Sequence, residues 1–167
     1  MQKILLSINN KIKWITIGLL VTAIPVLVLA ELQRVDRIVM RHLRSEDKYK
    51  QYYRLFEAWT RIHQQDRDLD PFFQELKIKT IAVYGNGEFS KRFAEDMKKS
   101  KVKICYYIDR NADQIIDDVP VLSLEEKLPE VDAVIVTIID EFESISKRLK
   151  EVCDYSIYSL EDVIYGN

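Results

Sequence analysis

Histidine and cysteine are scarce in this chain, with two of each in 167 residues. His42 and His63 both precede the part of the chain that reads as a sheet. Neither lies beside a candidate loop, so they read as surface or packing residues without a catalytic partner. Cys105 and Cys153 sit inside apolar runs, VKICYYI and EVCDYSIY, where a thiol packs as a small hydrophobe. Zinc and redox roles are therefore not expected. An excess of positive charge is also lacking: 25 Lys and Arg against 27 Asp and Glu give a formal net charge of −2. No basic field of that kind draws the chain to nucleic acid. No internal repeat or low-complexity segment is found. Glycine is sparse too, four in all, and two of the four stand together in Gly85-Asn86-Gly87.

At this length one ordinary domain plus an appendage is expected, and not the two domains of a typical dehydrogenase. By texture the chain divides into residues 1–45, 46–76 and 77–167. In the first part, WITIGLLVTAIPVLVLA, Trp14 to Ala30, holds no charged residue, with Lys11 and Lys13 before it and Glu31 and Arg34 after it. That is at the short end of the roughly 17 to 25 residues that span a bilayer as a helix. Leu32, Val35, Ile38 and Val39 continue an apolar stripe among Arg34, Arg37, Arg41 and Arg44, as in a helix lying at headgroup level. Three readings compete with an anchor. One is a buried core helix. Another is a cleaved signal peptide ending at Val28-Leu29-Ala30. The third is a re-entrant helix broken at Pro25, which the basic residues on both flanks would suit. A single spanning helix in the cell membrane, with the large domain in the cytoplasm, is the expectation taken forward.

The second part is expected to be a helical connector. Tyr49, Tyr52, Phe56, Trp59 and Ile62 recur at steps of three and four and make one apolar face. Such a face must be covered, either by the domain after it, by a second copy of the chain, or by a partner such as a polysaccharide-assembly enzyme meeting Tyr52, Phe56 and Trp59. Asp70 is expected to cap a short helix that has Pro71 at its first position.

The third part alternates. Strands are expected at residues 79–84, 102–108, 120–122, 133–138 and 155–158, and helices at 89–99, 124–128 and 141–152. Runs such as DAVIVTII lack the alternation of a half-wet sheet, so the sheet should be parallel and covered on both faces. The order implies a small doubly wound α/β domain.

In such a sheet the ligand lies beyond the carboxyl ends of the strands. Gly85, Asn86 and Gly87 fall at that point. Glycine allows a tight turn and lets a phosphate come close to the backbone, and the helix starting near Glu88 aims its unpaired N–H groups at the anion. Ser90 takes the place of the third glycine of the dinucleotide fingerprint. Asp109 ends the second strand, where an acid would take ribose hydroxyls. Arg110 could reach a phosphate or pair with Asp113, and Thr137 lies near the end of the strand AVIVTII. Glu88, Asp140 and Glu141 read first as acids that favour helix starts.

On the segments IAVYGNGEF, YYIDRNAD, VPVLSLEE and VDAVIVTI, residues 77–167 resemble the small Rossmann-like nucleotide-sugar-binding domains of bacterial surface-polysaccharide biosynthesis. Similar domains stand at the front of sugar-nucleotide acetyltransferases and of membrane-bound nucleotide-sugar epimerases and dehydratases. The resemblance implies a nucleotide, a UDP-type sugar nucleotide or NAD, held by the turn and by the acid after the second strand. The matching positions here are Gly85, Gly87 and Asp109, and Ser90 departs from the pattern. The relatives carry their chemistry in a second domain, and no Tyr-x-x-x-Lys pair or nucleophile with a base occurs in this one. A membrane-tethered accessory module without catalysis of its own is expected. The alternatives are a ligand-free adaptor working through the aromatic connector and, less favoured, a small NAD-dependent oxidoreductase.

Overall fold

A computed structural model describes residues 2–111, 115–116 and 118–167, apart from the side chains of residues 2–25 and of Arg44. It contains two compact units, Met1–Lys48 and Tyr49–Asn167. Helix α1, Gln2–Gln64, supplies the first unit and the opening of the second. In the first unit the large apolar side chains from Val26 to Leu29, together with Leu32, Val35, Ile38, Val39, Met40 and Leu43, are all exposed. Most of the Trp14–Ala30 run lies outside the described side chains. Among the described residues no helix is long and apolar enough to cross a membrane.

In the second unit α1 ends at Gln64, where the Arg67 N–H returns to the Ile62 carbonyl at 3.1 Å and Asp66 takes a left-handed φ of 51°. Leu55, Trp59 and Ile62 are buried on the sheet. Of the connector expected at 46–76, the residues from Tyr49 onward fall in one compact unit with the sheet. Of the face foreseen for a partner, Trp59 is 4 % exposed and Tyr52 is half-buried. Helix α2, Asp70–Glu75, comes next. Its cap position is Leu69 and not Asp70. The Asp68 carboxylate accepts the Asp70 N–H at 3.0 Å, and the Asp70 carboxylate instead accepts from the Ser100 hydroxyl.

Six strands form the sheet: β1 Thr80–Tyr84, β2 Lys103–Ile108, β3 Ile115–Ile116, β4 Val119–Leu122, β5 Ala133–Val136 and β6 Ser156–Ser159. Their order is β3-β4-β2-β1-β5-β6. All pairs are parallel except β3 with β4. The hairpin departs from the wholly parallel sheet expected, because Asp118, at φ 64°, turns the chain back within a few residues. Asp tolerates that conformation better than most residues.

Helix α3, Glu88–Met97, joins β1 to β2. A 3₁₀ turn, Ile139–Glu141, and α4, Phe142–Lys150, join β5 to β6, and α5, Leu160–Tyr165, ends the chain. Alternate residues of β1 divide the core, as period two requires: Ile81 and Val83 face α1, α2, α3 and α5, whereas Ala82 and Tyr84 face α4. Cys105 is skipped in the β1–β2 register, where Ile81 opposes Ile104 and Ala82 opposes Tyr106. Such a bulge bends the strand locally. Both cysteines are free, partly buried and packed on the α4-side core.

No helix forms at 124–128. Ser123 and Glu126 start a turn, with the Ser123 N–H donating to Glu126 Oε1 at 2.6 Å. Pro129 then disfavours helical backbone at the residue before it, and Leu124 and Leu128 pack individually on the core.

Candidate nucleotide site

The parallel strands run outward from β1 through β2 to β4, then the chain crosses to the other side of β1 for β5 and β6. The reversal lies between β1 and β5. In open α/β sheets the crevice beyond the carboxyl ends at that reversal is where ligands bind.

Gly85 succeeds β1 there with φ +100°, a conformation that side chains rarely adopt. Its N–H donates to the Ile108 carbonyl at 2.9 Å. A Cβ at Gly85 would meet Thr137 Oγ1 at 2.9 Å and Ile138 Cγ1 at 3.1 Å. Thr137 is buried, and its N–H and hydroxyl both donate to the Tyr84 carbonyl, at 3.1 and 2.9 Å. Thr137, expected as a site residue, thus braces the end of β5 against β1.

Gly87 is different. It is the cap residue of α3, with φ −87° and ψ −173°, and a Cβ there would have nothing within 4 Å. Packing does not require glycine at this position, and the space above its backbone is open. No side chain caps α3, so the helix presents its first N–H groups without a side-chain acceptor. Glu88 turns to Lys91, whose ammonium stands 2.9 Å from its carboxylate. That hydrogen bond and charge hold the Glu88 carboxyl below its ordinary value.

Ser90 is 1 % exposed, and its hydroxyl has no hydrogen-bond partner within the protein. Buried hydroxyls are normally paired. Ser90 lines a cavity of about 280 Å³ together with Asn86, Lys91, Ala94, Glu95, Tyr107 and Ile116. The volume falls just below the roughly 300 to 1,000 Å³ usual for small-molecule sites.

Asp109 stands just after β2, half-buried. Its N–H donates to the Leu122 carbonyl at 3.1 Å, and its Oδ1 accepts the Asn111 N–H at 3.0 Å. This Asx turn fixes the carboxylate beside the strand end. Arg110 is exposed; Asp113, its expected partner, lies outside the described residues. Gly85, Asn86, Gly87, Glu88 and Ser90 are therefore contiguous at the head of α3, with Asp109 and Arg110 at the end of the neighbouring strand.

Two residues of α1 also reach this edge of the sheet, and neither was legible there from the sequence. Tyr52 donates its hydroxyl to Asp140 Oδ1 at 2.6 Å, and its ring lies 5.0 Å from that of Phe89 in the first turn of α3. Burial, and then the bond to Asp140 and its negative charge, push the Tyr52 hydroxyl well above its ordinary value. Gln51 donates to Glu161 at 2.8 Å. Their only trace in the sequence is their place on the connector, since contacts 88 and 110 residues apart leave no local pattern. On the flank of α3, Asp96 accepts from Trp59 Nε1 at 2.6 Å and stands 3.2 Å from His63 Nε2. His63 thus has a carboxylate neighbour away from the glycine turn.

In comparison with known proteins, no family model matches this sequence and no curated protein matches it.

Proposed function

We propose that the chain is a membrane-tethered module that binds a nucleotide, of the nucleotide-sugar kind, as an accessory to bacterial surface-polysaccharide assembly. One observation carries the binding claim: a buried, unpaired Ser90 hydroxyl lines a cavity that runs from Asn86, just before the uncapped start of α3, along the helix to Glu95. A phosphate at the helix start would meet free N–H groups and the positive end of the dipole. The Ser90 hydroxyl would gain a partner from the same ligand. Asp109 would accept from ribose hydroxyls, and Arg110 and Lys91 would offset phosphate charge. The sugar-nucleotide class and the polysaccharide setting rest on the resemblance of four sequence segments. The tether rests on the charge-free Trp14–Ala30 run.

A second reading, an adaptor that works through α1, draws on Tyr49 and Phe56, which are 70 % and 49 % exposed. Aromatic side chains of this size dominate interface energetics. Native mass spectrometry of the detergent-purified full chain separates the two. A retained mass of a nucleotide, lost in Gly87→Val, supports the binding module; a chain that carries no nucleotide and takes none up when it is added leaves the adaptor.

A further inference from the structure

Two halves of the carboxyl edge differ in what already occupies them. Beside β1 and β2 lie Asn86, Ser90 and Asp109, with the cavity reaching to Tyr107 and Ile116. Beyond β5 and β6 two side chains of α1 already bond to the edge. The turn after β5 carries Asp140, which takes the Tyr52 hydroxyl. Helix α5 starts directly after β6, and Glu161 in its first turn takes the Gln51 amide. Adjacent residues of α1 therefore bond the segments that follow two adjacent strands, and the Tyr52 ring rests on Phe89 at the head of α3.

A dinucleotide needs both halves. Its two nucleosides lie on either side of the reversal point, with the pyrophosphate at the helix start between them. We propose that Gln51 and Tyr52 are specificity-determining residues, which stand across the β5–β6 half through these two bonds and restrict the site to ligands with one nucleoside. The inference rests on the nucleotide reading of the glycine turn and narrows it: NAD is excluded, while nucleoside diphosphates and their sugar conjugates remain. The bonds themselves oppose displacement. Displacing Tyr52 from Asp140 would break a charge-assisted bond of 2.6 Å, which is stronger than a neutral one. The cavity on the other half, about 280 Å³, is likewise small for two nucleosides.

The test pairs ligands that share a base, titrated by calorimetry into the full chain in detergent: UDP against diuridine diphosphate, and ADP against NAD. In the wild type the one-nucleoside member should bind at least about tenfold more tightly in whichever pair binds. In Gln51→Ala/Tyr52→Ala the gap between the two members of a pair should close to within about threefold. Asp140→Ala/Glu161→Ala breaks the same two bonds from the sheet side and must close it similarly, which guards against a misfolded first variant. A wild type that takes the dinucleotide as tightly as its smaller partner overturns the inference and leaves the nucleotide reading standing. So does a gap that survives in both folded double variants. Failure of all four ligands to bind removes the nucleotide reading, and this inference with it.

Discussion

Thr137 Oγ1 stands 2.9 Å from the point that a Cβ on Gly85 would occupy, while that same hydroxyl is bonded to the Tyr84 carbonyl just before the turn. The segment just after β5 thus closes over Gly85, the residue of the turn that has a positive φ. Gly85→Ala should cost stability on two counts, the left-handed backbone and the contact. A loss on the order of 1 to 3 kcal/mol in chemical denaturation is expected. Gly87→Ala should leave the denaturation midpoint nearly unchanged, because its backbone is extended and its surroundings are open.

Trp59 belongs to the interior of its own unit. Trp59→Ala should lower stability by about 3 to 5 kcal/mol, the range for a large aromatic removed from a core. It should also leave the Asp96 carboxylate without its indole donor. Sedimentation of a still-folded Trp59→Phe should show the same copy number as the wild type. A loss of self-association in Trp59→Phe without loss of stability would mean that the indole makes an intermolecular contact.

The contrast between these two sites shows what a sequence carries. Continuous apolar runs and glycine after the first strand are local signals, so β1, α3, β2, β5 and α4 were legible to within a few residues. The short hairpin was not, because two residues of β3 make no period. The bond from Thr137 to the Tyr84 carbonyl spans 53 residues and leaves no local pattern. The connector stripe was seen, but its depth was not. Spacing alone does not say that Leu55 and Trp59 sink into the sheet while Phe56, on the same helix, remains half exposed.

Asp132 predicts a pH dependence. Its Oδ2 accepts the N–H groups of Lys79 and Thr80 and the Thr80 hydroxyl, at 2.8, 2.8 and 2.9 Å. The backbone bonds at Lys79 and Thr80, then the hydroxyl, lower its carboxyl from the ordinary value. A lowered folded value means that the stabilisation is fully present above the unfolded value, about pH 4, and is lost as pH falls through the lower folded one. The difference in melting temperature between wild type and Asp132→Asn should therefore be constant near neutrality and shrink under acid. A difference that grows with acidification would contradict this assignment.

The tether is tested by extraction. A full chain held by Trp14–Ala30 should stay with membranes in alkaline carbonate, because a charge-free run is better satisfied in lipid than in water. Cysteines introduced at Gln2 and Ser45 should label from opposite sides if the run spans once, and from the same side if it re-enters. A mature chain beginning at Glu31 and released in soluble form would show a cleaved signal instead.

Asp109→Asn should weaken nucleotide binding by about 1 to 3 kcal/mol, as expected for loss of a charge-assisted bond to ribose with the shape retained. Melting curves should stay close to wild type, because the amide oxygen can still accept the Asn111 N–H.

The central claim is that the head of α3 cradles a phosphate. Calorimetric titration of UDP into the full-length wild type and into Gly87→Val measures it most directly, with circular dichroism as the folding control. Binding in the wild type, and a loss of at least about a hundredfold in a Gly87→Val protein that keeps its fold, is the predicted result. Equal binding by the two proteins would contradict the account, as would a folded wild type that binds neither UDP nor any other nucleotide of a broad panel at millimolar concentration.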